Sequence, residues 1–222
     1  MEVVIDETLR AAVPQIKFGI IHYENITVGD SPQMLKGRLQ LFQESLFFEL
    51  EDQNINELPE IKDWRSIFKK LGKDPNRYRH SAEALYRRVK KQQYITSINS
   101  ATDLNNFFSL KYRIPLGIYD KDLIQGNVVI RKGAEGESYE GLNGRQNNAA
   151  NLPISADDAG PFGSPFVDAK RTAVSANTTS ALQIVYLPLT IETNDAMKLV
   201  ESFASMFTHI NGGTAHPAIL AD

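Results

Sequence analysis

Apolar positions along this chain change their period near its middle, dividing the elements they predict into a mainly helical half and a mainly stranded half. Val3 to Ile5 reads as a short strand, and Asp6 stands where it can cap a brief helix ending before Pro14. Ile16 to Val28 is apolar and β-branched, which predicts a strand bent near Glu24-Asn25. Ser31-Pro32 opens a helix, with Ser at the cap and Pro at the first helical position. Leu35, Leu39, Phe42, Leu46 and Leu50 follow at helical spacing, one buried face. Pro59 to Leu71 predicts another helix, with Ile61, Trp64, Ile67, Phe68 and Leu71 inward and Gly72 closing it. Ser81 is placed to cap a helix through Lys91, and a further helix spans Ala101 to Tyr112, stopping ahead of Ile114-Pro115.

Beyond Pro115 the period shortens. Leu116 to Tyr119, Asn127 to Arg131 and Leu182 to Leu189 predict strands, with Asn143-Gly144 a hairpin turn between others. From Ala156 to Arg171 the sequence is loop-like. Asn194 to Ile210 returns to helical spacing, with Met197, Val200, Phe203, Ala204 and Phe207 on one face and Gly212-Gly213 as the stop. Residues 214–222 read as a frayed tail. No repeat or linker interrupts the pattern, so residues 1–222 are expected to form a single α+β domain.

Composition adds three limits. The chain has 222 residues, enough for a substantial core, and no cysteine, which excludes disulfides, thiolate metal sites and a Cys nucleophile. No apolar run approaches the roughly 20 residues a membrane helix needs, so no membrane partner is expected. Met1 to Arg10 is acidic and does not read as a signal peptide; with the missing cysteines this points to the cytoplasm.

Charge changes the picture more. The net charge is −3, yet Arg65 to Lys91 holds ten basic residues against Asp74 and Glu83; that window carries +8 and the remainder −11. Lys69, Lys70, Lys73, Arg77, Arg79, Arg87 and Arg88 are the candidate RNA-binding residues, because clustered cations gain affinity for phosphates by counterion release. The same residues also suit solvated helix faces whose stems cover Trp64, Phe68 and Leu85. No phosphate loop or nucleophile elbow exists, the four histidines lack ligand spacing, and Asp157-Asp158 with Asp168 lacks a metal-site pattern. Neither a metal nor a cofactor is expected.

One ordered set of short motifs is specific. Trp64-Arg65-x-x-Phe68, Ser81-Ala82-Glu83-Ala84-Leu85 and Arg87-Arg88-Val89 precede the run Ala101 to Phe108 and Leu116-Gly117-Ile118-Tyr119-Asp120. Ile124-x-Gly-Asn-Val-Val-Ile-Arg131, Glu135-Gly136-Glu137, Leu142-Asn143-Gly144, Asp157-Asp158, Arg171-Thr172 and Thr178 follow. In this order, from Trp64 to Gly213, they resemble the B3/B4 editing module of the phenylalanyl-tRNA synthetase β subunit and a stand-alone branch of that family. The resemblance implies a β-sandwich-like core flanked by helices. It also implies a pocket that hydrolyses tyrosine wrongly attached to the phenylalanine tRNA. Asn106 matches a pocket Asn. The family's pocket His aligns with Gly117, and its carboxylate that reads the tyrosine hydroxyl aligns near Ile184, so two polar editing groups are replaced here.

Asn106, Gly117, Asp158, Arg171, Thr172, Thr178 and Ile184 therefore form the candidate ligand pocket. Two functions stay open at this level. One is binding of tRNA or an aminoacyl-tRNA, with deacylation in trans as its catalytic form. The other is binding of an amino acid or similar small metabolite without catalysis. A purely structural reading has Asn106 bracing the core and Asp158 pairing with Arg171.

Overall fold

The computed structural model describes residues 1–221. Its elements follow the chain as β1 (Val3–Ile5), α1 (Glu7–Ala12), β2 (Phe18–Glu24), α2 (Gln33–Glu49), α3 (Pro59–Leu71), α4 (Ser81–Val89), α5 (Ser100–Tyr112), β3 (Leu116–Asp120) and β4 (Val128–Lys132). Then come β5 (Ser138–Glu140), β6 (Gln146–Asn148), β7 (Pro153–Asp157), β8 (Gly160–Gly163), β9 (Ser180–Tyr186), α6 (Thr193–Asn211) and β10 (Thr214–Leu220).

Two four-stranded sheets organise the molecule. The first has the order β1-β4-β7-β8, with β1 parallel to β4 and the other pairs antiparallel. The second is antiparallel, in the order β10-β2-β9-β3. Strand alternation gives the second sheet two buried faces. Phe18, Ile20, Tyr119, Leu182, Ile184 and Tyr186 enter a core shared with Ile130, Ile154 and Phe162 of the first sheet and with Trp64 and Phe68 of α3. Ile21, Tyr23, Leu116, Ile118 and Val185 face the other way, into a core closed by α2, α4, α5 and α6. This is an α+β sandwich with helices on one outer face, and β3 is its edge strand beside α5.

Helices α2, α3 and α6 stand close to where the apolar spacing puts them, α5 ends where the Ile114-Pro115 stop puts it, and Gly72 closes α3 in the left-handed conformation at φ 92°. Four expectations need correction. Pro32 rather than Ser31 occupies the N-cap position of α2, because the Ser31 hydroxyl instead donates to Asp103 Oδ2 at 2.6 Å. His80, not Ser81, caps α4: its Nδ1 accepts from the Glu83 amide at 3.3 Å, and burial lowers the imidazole pKa to about 3, keeping it a neutral acceptor. The stretch from Ala156 to Arg171, expected to be loop-like, holds the end of β7 and all of β8, a hairpin whose polar turn residues hid short strands. The tail is not frayed through Leu220: β10 pairs along the whole of β2, from Thr214–Glu24 to Leu220–Phe18.

Candidate functional site

A cavity of about 390 Å³ opens at the β3 edge. Leu116, Ile118 and Tyr119 form its floor, and Asn99, Thr102, Asn105 and Asn106 of the α5 end form one wall. Ser164, Phe166, Val167 and Asp168 form the facing wall.

The α5 wall is fixed by a buried polar chain. Tyr23 Oη donates to Gln183 Oε1 at 2.9 Å, Gln183 Nε2 donates to Asn105 Oδ1 at 2.9 Å, and Asn105 Nδ2 donates to the Leu116 carbonyl at 3.1 Å. Each of these buried groups is satisfied, so the chain locks α5 to β3. Asn99 begins the helix, accepting from the Thr102 amide at 2.8 Å. Asn106, half-buried and next along α5, turns to the cavity.

The opposite wall is a tight turn built on Ser164. Its hydroxyl accepts from the Phe166 and Val167 amides at 3.1 and 3.2 Å and meets Tyr139 Oη at 2.9 Å. The Asp168 carbonyl accepts from the Leu142 amide at 2.9 Å. These bonds hold Asp168 against the floor, where Tyr119 Oη donates to its Oδ1 at 2.6 Å. Phe162 packs edge-on against the buried Tyr119 ring at 4.8 Å, and Asp168 is half-buried in the cavity wall. Burial pushes the Asp168 carboxyl up to about 7, and the Tyr119 hydroxyl bond only partly offsets this. Burial raises the Tyr119 phenol as well, so it remains the donor.

Tyr119 occupies this place because two glycines make room. A Cβ on Gly117 would lie 1.9 Å from its hydroxyl oxygen, and one on Gly163 would lie 2.1 Å away. Gly117 is also the direct cross-strand partner of Ile184. Two positions of the expected pocket, Gly117 and Ile184, are thus neighbours here, one bare and one apolar. The polar pair instead comes from Tyr119, two residues along β3, and from Asp168 on the facing turn.

The basic stretch divides on folding. Glu83, fully buried, gathers Arg65 at 3.0 Å, Arg87 at 2.8 Å and Arg79 at 3.9 Å. Arg65 also donates to the Pro75 carbonyl and Asn76, and Arg87 to Asn56. Lys73 is withdrawn from the surface: its Nζ donates to the Ala150 carbonyl at 2.5 Å and lies over the Tyr78 ring, and burial lowers its pKa. Lys69 borders a separate concavity with Lys62 and Asn76, and Lys70 is exposed outside it. Arg77, Arg79, Arg87, Arg88 and Lys91 line a third, of about 380 Å³. Phe166 and Val167 line that basic groove too, so one short wall separates it from the cavity.

Residues 63–208 match the B3/4 domain. The chain belongs to the B3/4 domain family. It is similar to the uncharacterized protein YhzB of Bacillus subtilis (strain 168), 35% identical over 214 residues, or 96% of this chain and 97% of that one. It is also similar to the phenylalanine–tRNA ligase beta subunit of Streptomyces avermitilis, 38% identical over 81 residues, 36% of this chain and 10% of that subunit. The corresponding Bartonella henselae subunit is 41% identical over 51 residues, 23% of this chain and 6% of its own length. These matches span about a tenth or less of the ligase subunits. A crystal structure of an N-terminal fragment of the phenylalanyl-tRNA synthetase beta subunit from Pyrococcus horikoshii superposes with a TM-score of 0.46 at 11% identity, over 100% of this chain and 54% of that one.

The remaining candidate residues of this B3/4 domain are scattered. Arg171 pairs with Asp157, at 2.6 and 3.0 Å, and with the Gly160 carbonyl; Asp158 is exposed, which corrects the expected Asp158–Arg171 pair. The β-turn decides this, because β7 directs Asp157 across the hairpin and leaves Asp158 at its tip. Thr172 is buried and Ile184 lies in the core between the sheets. Thr178 donates to Asp120 Oδ2 at 2.6 Å, bracing the end of β3. Of the expected pocket set, Asn106 lines the cavity and Gly117 admits Tyr119 beneath it. Tyr119 and Asp168 were missed as site residues. Their one local signal was a tyrosine in a strand two positions after a glycine, and the partner glycine, Gly163, lies 46 positions from Gly117 in sequence.

Proposed function

We propose that this domain binds the aminoacylated 3′ end of a tRNA, holding the aminoacyl group in the β3-edge cavity and the adjoining phosphates along the Arg77, Arg79, Arg88 and Lys91 groove. The observation that carries this reading is the shared Phe166–Val167 wall, which sets a half-apolar pocket beside a cationic surface. A pocket for a free amino acid needs no phosphate track next to it. The ligase beta subunits with matching segments are named for phenylalanine and tRNA, which agrees with this choice of ligand. The cavity suits a single side chain with its ester: apolar Leu116, Ile118 and Val174 around it, Asn106 and the Tyr119–Asp168 pair as polar contacts.

One observation favours a catalytic extension. Asp168, pushed up to about 7, changes protonation near neutrality, as a general base should. In that role it removes a proton from water; the resulting hydroxide oxygen bonds the ester carbon, the carbon–ribose oxygen bond breaks, and the ribose oxygen takes up the proton.

Gel-shift titration with aminoacyl-tRNA and with free amino acid tests the binding. Affinity for the charged tRNA should fall steeply with salt and drop at least about tenfold in Arg88→Glu/Lys91→Glu. Salt-independent binding, or thermal stabilisation by free amino acid with none by aminoacyl-tRNA, overturns it. Release of amino acid from mischarged tRNA, increasing up to about pH 7 and lost in Asp168→Asn, is the separate result expected for hydrolysis.

A further inference from the structure

Helix α2 carries a feature that the site does not use. Its inward face, Leu35, Leu39, Gln43 and Leu46, is buried in the helical core. Its outward face also bears large apolar side chains, Met34 at 58%, Leu41 at 67% and Phe48 at 70% exposure. The spacing of seven keeps all three on one line along the helix, the repeat that helix pairs use. Scattered exposed apolar residues need no explanation, but three aligned on one helix do.

Two further observations indicate what covers this line. Gly37 lies within the helix, where glycine is disfavoured relative to alanine, and a Cβ there would meet nothing within 4 Å. Nothing inside the chain requires a glycine, whereas close approach by another backbone does. The outward face is also nearly self-complementary about Leu41. Reversing the helix around that residue sets Met34 opposite Phe48, Gly37 opposite Ser45, and Arg38 opposite Glu44. Basic Lys36 and Arg38 lie in the first half and acidic Glu44 and Glu49 in the second, so only an antiparallel copy brings unlike charges together.

We propose that the outward face of α2 is a homodimer surface, pairing antiparallel with α2 of a second copy about a two-fold axis through Leu41. The interface is isologous, with apolar contacts along its centre line and each Arg38 level with Glu44 of the second copy, reaching it across the small Gly37 and Ser45. Gly37 and Ser45 let the helices approach, and packing at a shallow crossing angle keeps the whole line in contact. The axis runs through the helical side of the molecule, and no residue of α2 lines the β3-edge cavity.

Sedimentation velocity on the full chain, from roughly 1 to 200 µM because a single helix pair is a small interface, reads the mass directly. The expected result is a rise from 24.8 kDa toward twice that value with concentration. A constant 24.8 kDa over the whole range overturns the proposal. Leu41→Glu should remain monomeric throughout, and its continued dimerisation overturns the proposed surface. Arg38→Glu and Glu44→Arg should each weaken association at least tenfold, and the double variant R38E/E44R should restore it. A double variant no better than the single ones overturns the antiparallel register. These positions are exposed or at the rim, so circular dichroism should show every variant folded, and the charge-reversal pair keeps the test sound if Leu41→Glu is not.

Discussion

Glu83 and Asp168 are both acids drawn into the protein, and their surroundings differ in the one respect that matters. Glu83 has three arginines around it, two at 3.0 Å or closer, so its charge is matched where it is buried. Asp168 has no cation within ion-pair distance among the described residues; its side-chain partner is the neutral Tyr119 hydroxyl. The first arrangement ties α4 to α3 and to the turn after it. The second leaves a carboxyl whose charge is poorly supported beside a cavity, so burial acts on the two acids in opposite electrostatic settings.

Breaking the brace should have the largest effect. Glu83→Gln leaves Arg65 and Arg87 without their buried carboxylate, and urea denaturation should show a loss of about 3 kcal/mol. Gly117→Ala attacks the other cluster by volume. Its methyl would overlap the hydroxyl of a fully buried ring and displace it from Asp168, and a loss of about 2 kcal/mol is expected by the same measurement.

Asp168→Asn sharpens the comparison through pH. The folded carboxyl titrates at about 7 against an ordinary 3.8, so the folded protein holds a proton that the unfolded chain has released. Stability from this group is therefore fully present below about pH 4 and is lost as pH rises through 7, by at most about 4 kcal/mol. Asparagine does not ionise. The variant should gain about 1–2 kcal/mol on the wild type between pH 5 and pH 8 in thermal or urea unfolding, and an unchanged difference would contradict the assigned environment.

The smallest effect on stability is expected where charge is exposed. Arg88→Glu/Lys91→Glu touches no buried partner and should alter stability by no more than about 0.5 kcal/mol, while tRNA affinity falls. That contrast separates the Arg77–Lys91 groove from the Glu83 cluster within the same basic stretch.

Local chemistry made much of this fold legible in the sequence. Helices α3 and α6 announce themselves because apolar spacing, caps and glycine stops are properties of neighbouring residues, and tertiary packing agrees with them. Short strands among polar turns were not legible: β7 and β10 are defined by partners far away in the chain, and β8 forms as the edge strand folded back on β7. The ordered motifs also revealed the B3/4 family.

What only the tertiary structure decided is which polar groups share a place. Asp157 took Arg171 because a hairpin turned it there. Glu83 drew in three of the ten cations of a basic run that looked uniform in one dimension. Tyr119 met Asp168 because Gly117 and Gly163, distant in sequence, left the same volume empty. A carboxyl's charge is stabilised or opposed by whatever lies within a few ångströms, and that neighbourhood is set by packing, not by adjacency along the chain.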